Sequence, residues 1–89
     1  MKELRWSADK NQELKHTRNI TFEQLISSRF IGIEKHPKKA HQYFMLFELR
    51  GYVWVVPYVE AGSYYFLKTA FPNRKYTKKY LGGNAYEKD

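Results

Sequence analysis

Cysteine is absent from these 89 residues. That removes disulfide staples, thiolate metal sites and thiol nucleophiles together. A small domain without disulfides suits a reducing cytoplasm. Aspartate is almost as scarce: Asp9 and Asp89 are the only two, each near a chain end, which leaves a Ser-His-Asp constellation without its orienting acid. His16, His36 and His41 have no ligand spacing, so neither a metal site nor any other cofactor is expected. There is no glycine-rich phosphate loop. No stretch approaches the roughly 20 apolar residues of a membrane span; the longest apolar segment, Tyr52 to Val59, is of strand length and contains Pro57. The opening Met1-Lys2-Glu3-Leu4-Arg5-Trp6 lacks the apolar run of a signal peptide. A cytoplasmic protein that does not engage membranes is the expectation.

What is abundant is aromatic surface and positive charge. Eight Tyr, six Phe and two Trp supply large buried areas from few residues, enough for the core of one domain at this length. Sixteen Lys and Arg stand against nine acidic residues, a net charge of +7. On so short a chain that is a strong field, and it points to an anionic partner, RNA above all.

Local signals predict an α+β domain over residues 1–83 with a flexible C-terminal tail over 84–89. Leu4 to Trp6 reads as a short strand or a tether. Ser7 is placed to cap a helix from Ala8 to about Arg18, mostly polar with Leu14 as its anchor. Thr21-Phe22-Glu23-Gln24 fits a capping box, with Ile20 and Leu25 as a hydrophobic staple, and opens a helix from Phe22 to about Ser28. The period then changes to that of strands: Phe30–Lys35, Tyr43–Leu49, Tyr52–Glu60 and Ser63–Phe71. Arg50-Gly51 and Ala61-Gly62 read as two-residue hairpin loops. Asn73 caps a last helix to about Leu81, which Gly82-Gly83 stops. The expected architecture is an antiparallel sheet of about four strands packed on two N-terminal helices, with a short C-terminal basic helix.

The hairpins imply a register. Leu49 faces Tyr52, Phe47 faces Trp54, Met45 faces Val56 and Tyr43 faces Tyr58; then Tyr58 faces Tyr65, Val56 faces Leu67 and Trp54 faces Thr69. Nearly all are apolar and share one face, which should pack on the helices. The other face (Phe44, Leu46, Glu48, Arg50, Val53, Val55, Val59, Tyr64, Phe66, Lys68, Ala70) is half apolar. It could be a wet platform or the contact for a second copy or another partner.

The residues that could carry chemistry cluster late in the chain. Arg74, Lys75, Lys78 and Lys79 form adjoining cationic stripes on the last helix, with Tyr76 and Tyr80 beside them. Cations suit an RNA backbone and tyrosines suit exposed bases; a solvated basic face with tyrosines packed on the sheet is the plainer account. Arg74 stands where strand gives way to helix. Lys68 lies among aromatics with Glu48 expected on its face, either as a lysine reaching past Tyr64 and Phe66 to solvent or as a phosphate contact oriented by Glu48.

Two ends of the chain resemble a family. Trp6, Lys10 and Ile20-Thr21-Phe22-Glu23 are similar to the front signature of BrnT-type toxins, in which Trp-Asp-x-x-Lys leads to Lys-His-Gly-(Ile/Val)-(Ser/Thr)-Phe-Glu. Asn73-Arg74-Lys75 is similar to the (Ser/Asn)-Arg-Lys after the family's last strand. The resemblance covers most of residues 4–81. It implies a ribonuclease toxin of a bacterial toxin–antitoxin pair, with a fold like the RelE group, that cuts RNA (mRNA included) without a metal and is silenced by a cognate antitoxin. Lys10, Arg74 and Lys75 fall on charged positions of the family. The chain departs from the pattern at Ser7 for Asp, Leu14 for Asn, Thr17-Arg18-Asn19 for Lys-His-Gly, and Phe71 near a frequent Arg. Arg18 keeps a cation but does not act as a base near neutral pH.

Metal-free cleavage needs a base for the 2′-OH, a cation for the charge on phosphorus and an acid for the leaving 5′ oxygen. Arg74 is the expected charge stabiliser, aided by Lys10 or Lys68. Glu48, His16 or a tyrosine could move the protons, with Tyr76 a candidate acid or stacking group, and Arg18, Lys75, Lys78 and Lys79 hold RNA. A non-catalytic nucleic-acid-binding module of the same shape and a basic adaptor for an acidic protein are the competing readings. A helix-turn-helix is excluded because the two front helices lead straight into a sheet.

Overall fold

In the computed structural model, which describes residues 2–82, nine elements follow one another. They are β1 (Glu3–Trp6), α1 (Ala8–Arg18), α2 (Phe22–Ile26), β2 (Arg29–Lys35), β3 (Tyr43–Leu49), β4 (Tyr52–Ala61), β5 (Tyr64–Leu67), β6 (Phe71–Pro72) and α3 (Arg74–Leu81). The expected tail over 84–89, and residue 83 at the end of the expected domain, lie outside the described residues.

The helices begin where short polar side chains take their first orphan N–H groups. Ser7 accepts from the Lys10 N–H at 3.2 Å. Thr21 accepts from Gln24 and the Gln24 side chain accepts from the Thr21 N–H, so the capping box is complete. Asn73 accepts from Tyr76 at 2.8 Å. α1 ends on Asn19 in the left-handed conformation, φ 55, where its N–H reaches the Leu14 and Lys15 carbonyls. α2 stops at Ile26, short of the expected Ser28, because the Ser28 hydroxyl donates to the Leu25 carbonyl at 2.6 Å and ties off the turn.

The sheet corrects the expectation of four antiparallel strands. It has six strands in the order β1-β5-β4-β3-β2, with β6 also on β4, and it is mixed: β1 runs parallel to β5. Of the two readings of the front segment, a short strand or a tether, the strand is the one found, and its parallel pairing with β5 is what no local pattern announces. The β3–β4 register is the expected one, from Leu49 opposite Tyr52 to Tyr43 opposite Tyr58. Arg50 and Gly51 both have positive φ, 57 and 79, as a type I′ turn requires. The Arg50 guanidinium donates to the Asn19 carbonyl at 2.8 Å, which binds this turn to the end of α1.

The next hairpin differs. Ala61 pairs with Tyr64 and Tyr58 with Leu67, so the loop is Gly62-Ser63 rather than Ala61-Gly62. Gly62 has φ +64, which fits the first central position of a II′ turn. A shift of two leaves every side chain on its face. The expected strand Ser63–Phe71 is itself broken. β5 pairs Tyr58 with Leu67, whereas β6 pairs Val55 with Phe71, so one extra residue lies between Lys68 and Ala70. That extra residue reverses the facing beyond it. Ala70 therefore joins the first core, not the second face where alternation would put it.

Two cores result, one on each face. Leu14, Ile20, Phe22 and Leu25 pack with Met45, Phe47, Trp54, Val56, Tyr58, Leu67 and Ala70. On the other face Leu46, Val53 and Val55 are buried beneath Phe71, Tyr76 and Leu81. This overturns the reading of that face as an open half-apolar platform: Leu46 and Val53 are 0 % exposed and Val55 is 1 % exposed. Helix α3 packs on the aliphatic residues of that face, which the sequence leaves open as a wet platform or as a contact for a second copy or another partner. Among the described residues no helix is long and apolar enough to cross a membrane.

Candidate nucleic-acid interface

Helix α3 is fastened to the sheet through one residue. The Val53 carbonyl accepts from the Asn73 N–H at 2.9 Å, and the Val53 N–H donates to the Thr77 hydroxyl, also at 2.9 Å. Thr77, 0 % exposed, in turn donates to the Asn73 carbonyl at 2.6 Å. The helix's first turn thus satisfies both backbone groups that β4 presents at this point, where leaving either unpaired in the core is costly. Tyr76 and Leu81 complete the attachment from the inner side. Arg74, Lys75, Lys78 and Lys79 are left exposed on the outside of a helix whose position is set.

The far end of α3 has its own clasp. Lys79 donates to Glu34 of β2 at 3.0 Å, and the Tyr80 hydroxyl donates to the same carboxylate. The Tyr80 hydrogen bond, followed by that of Lys79, holds the Glu34 carboxyl below its ordinary range. The same carboxylate pushes the titration of Lys79 and of Tyr80 upward. Glu34 was not among the expected site residues, and no local spacing points to it, because its partners lie 45 and 46 residues away.

The remaining candidates are dispersed. Glu48 lies opposite Val53 across the β3–β4 ladder, beside the residue that anchors α3, and accepts from Arg29 at 2.8 Å. Tyr76 is half-buried on the second core, its ring centroid 6.3 Å from that of Tyr80. Lys68 is exposed in the break between β5 and β6, its N–H on the Pro57 carbonyl at 2.9 Å. Lys10 and Arg18 belong to α1, whose Leu14 packs on the first core, so the sheet stands between them and α3. Lys10 is ion-paired with Glu13 at 3.1 Å, and Arg18 ends its helix exposed. The structure therefore brings Arg74, Lys75, Lys78, Tyr76 and Glu48 into one region and holds Lys10 and Arg18 apart from it. Thr77, which makes that region rigid, was also missed. Its signal was a short polar residue four positions after a cap, on the stripe that must face the sheet. Among the described residues no group of His, Asp and Glu side chains is placed to hold a metal ion.

The quoted front motif proves to be structural in its details. The Trp6 ring lies 5.5 Å from Phe22, and Phe22 is 0 % exposed. Asn11 accepts from the Phe22 N–H and donates to Glu23, both at 2.8 Å, which joins α1 to the start of α2.

No protein-family model matches the chain, and no curated protein matches it. Among solved structures it is similar to the crystal structure of the Brucella abortus ribonuclease toxin BrnT, with 18% sequence identity over 82% of this chain and 97% of that one, at a TM-score of 0.49.

Proposed function

We propose that this protein is a divergent BrnT-type toxin of the RelE-like group, a metal-independent endoribonuclease that binds RNA along the outer face of α3 and is silenced by a cognate antitoxin. The observation that carries this reading is the fastening of α3. Val53, Asn73 and Thr77 fasten the first turn to the sheet, and exposed Arg74, Lys75 and Lys78 stand on the same helix in a chain of net charge +7. A preorganised cation array of this kind meets phosphates at little reorganisation cost.

In the proposed reaction a ribose 2′ oxygen attacks the adjacent phosphorus, the bond from phosphorus to the 5′ oxygen breaks, and the products are a 2′,3′-cyclic phosphate and a 5′ hydroxyl. Arg74 stabilises the charge that builds on the phosphoryl oxygens, because a guanidinium matches two of them at once. Glu48 takes the 2′-OH proton, and the Tyr76 hydroxyl gives a proton to the leaving 5′ oxygen. Lys75 and Lys78 hold flanking phosphates. The antitoxin brings acidic side chains over the same face of α3.

The test is cleavage of a mixed RNA substrate in EDTA by wild type and by Arg74→Ala. Cleavage by wild type that falls at least about 100-fold in the variant is the expected result, the scale of a lost charge-stabilising donor. A second reading, a non-catalytic RNA-binding module, is favoured by one observation: α1 ends in Thr17-Arg18-Asn19, with Asn19 serving as its C-cap, where the resembled family carries Lys-His-Gly. Binding that falls steeply with salt, with no cleavage of free RNA or of RNA on ribosomes, decides for that module.

A further inference from the structure

Beyond the helices, the first face of the sheet continues into a cleft of about 570 Å³ lined by Ile33, His41, Tyr43, Tyr58, Glu60 and Tyr65. Three tyrosines from three adjacent strands form a ladder across its floor. Tyr43 and Tyr58 have ring centroids 6.3 Å apart, and Tyr58 and Tyr65 meet edge to face at 4.9 Å. Of the four large apolar side chains exposed among the described residues, three are on this side of β2 and β3: Phe30 at 43%, Ile33 at 49% and Tyr43 at 38%. No residue of α1 or α2 lines the cleft, although the same face is covered at Met45 and Phe47.

Two lysines border the cleft. Lys2 lies with its ammonium 5.5 Å from the Tyr65 ring centroid and is ion-paired with Glu60, the one carboxylate of the lining. Lys35 is opposite Tyr43 in the β2–β3 ladder. Beyond it the loop is shaped by His36, whose Nδ1 accepts from the Lys38 and Lys39 N–H groups at 3.0 Å each. Lys38 and Lys39 are exposed on that loop, which returns to the cleft at His41.

We infer that this cleft is a second RNA-binding subsite, in which unpaired nucleobases stack on Tyr43 and the tyrosine ladder while Lys35 holds an adjoining phosphate. The inference rests on the proposed RNA-directed function and adds where the bases go. Three features select a base over an apolar peptide. The floor is aromatic, and stacking is how sequence-tolerant single-strand sites gain affinity. The volume is in the range of small-ligand clefts, adequate for a nucleoside. The surrounding charge matches a polyanion. The path is also continuous. On β2, Glu34 receives the end of α3 and the next residue, Lys35, pairs with Tyr43 of the cleft. A single strand crossing the β2 edge therefore joins the two surfaces.

The experiment compares binding of an eight-nucleotide oligoadenylate RNA and of an abasic strand of the same length and charge, by fluorescence anisotropy at fixed salt. Wild type, Tyr43→Leu and Tyr43→Phe are used, each checked by thermal melting. Wild type is expected to prefer the base-bearing strand by about tenfold, on the scale of one to two stacked bases. Tyr43→Leu should lose that preference, Tyr43→Phe should keep it, and the salt slope should stay unchanged in both. Equal affinity of wild type for the two strands, with no effect of Tyr43→Leu, overturns the subsite and leaves the RNA-directed reading standing. Failure to bind either strand overturns both. Tyr43→Leu that keeps its preference for bases but no longer co-purifies with a co-expressed acidic protein overturns the subsite in favour of protein docking.

Discussion

Thr77→Val is the perturbation that most directly tests how α3 is held. Valine matches threonine in shape and is more apolar, so area burial alone makes the change neutral or favourable. The hydrogen bonds say otherwise. Thr77 is 0 % exposed, accepts from the Val53 N–H at 2.9 Å and donates to the Asn73 carbonyl at 2.6 Å. Removing the hydroxyl leaves the Val53 N–H without its acceptor at a residue that is itself 0 % exposed, at a cost of about 1–3 kcal/mol. A domain of this size has a total stability of roughly 5–13 kcal/mol, so the loss is a substantial share. It corresponds to a fall in Tm of about 4–8 °C for each kcal/mol. Thr77→Ser keeps both hydrogen bonds and removes one methyl, worth about 0.8 kcal/mol. Urea titrations followed by circular dichroism should therefore rank wild type above Thr77→Ser and Thr77→Ser above Thr77→Val, with slopes unchanged. Thr77→Val as stable as wild type, or more stable than Thr77→Ser, would refute the account of how α3 is fastened.

Other substitutions separate fold from chemistry. Thr21→Ala removes half of the capping box and should lower stability by about 1 kcal/mol while leaving RNA affinity per folded molecule unchanged; unfolding and anisotropy measured side by side read both. Lys75→Ala should weaken RNA binding evenly across sequences and reduce the slope of log K against log salt by about 1, read from anisotropy at four salt concentrations. The Glu34 carboxyl titrates below its ordinary range because Tyr80 and Lys79 bond its ionised form. Its contribution is thus present above the ordinary carboxylate value and lost as pH falls through the lowered one. The Tm difference between wild type and Glu34→Gln should be constant near neutrality and shrink below about pH 4, and a difference that persists unchanged in strong acid would contradict the assignment.

What was legible in the sequence was legible because it is local. Ser7, Thr21 and Asn73 each cap the helix they precede, since a short side-chain oxygen before a helical run has few other uses. Arg50-Gly51 determines the β3–β4 register for the same reason. The errors are of longer range. β1 finds its partner about 60 residues away, and a four-residue segment has no period by which to announce a parallel edge. The break at Lys68–Ala70 inserts one residue into an otherwise alternating run. Because Lys68, Thr69 and Ala70 carry no strong apolar contrast, the alternation from Tyr64 to Phe71 gave no sign of the change of face. The second face was judged open because its cover comes from α3. That helix has few apolar residues, yet Tyr76, Leu81 and the buried hydroxyl of Thr77 close the face together with Phe71, Ile31 and Phe44.

The site was less legible than the fold, and the motif residues show why. Phe22 is core, Thr21 and Asn73 are caps, and Trp6 packs against Phe22, so these positions of the BrnT-like pattern serve the chain path here. Two departures from it are physically conservative. Ser7 caps α1 as an aspartate would, and Asn19 takes the left-handed position at φ 55 that suits glycine best and asparagine next. Two others are not. Leu14, in place of an asparagine, is a core anchor at 2 % exposure, and Phe71, near a frequent arginine, packs on Val53 and Val55. Each exchanges a polar side chain for burial, so positions that carry polar groups in the resembled family here contribute packing. In the proposed function the chemistry falls to the groups around the start of α3, where Arg74 stands one residue beyond a cap bonded to Val53 and Glu48 lies across the ladder from that same valine. Losing Arg74 and losing Lys10 should accordingly have unequal effects on cleavage, because only Arg74 shares a face with Glu48, and α1 packs on the opposite one.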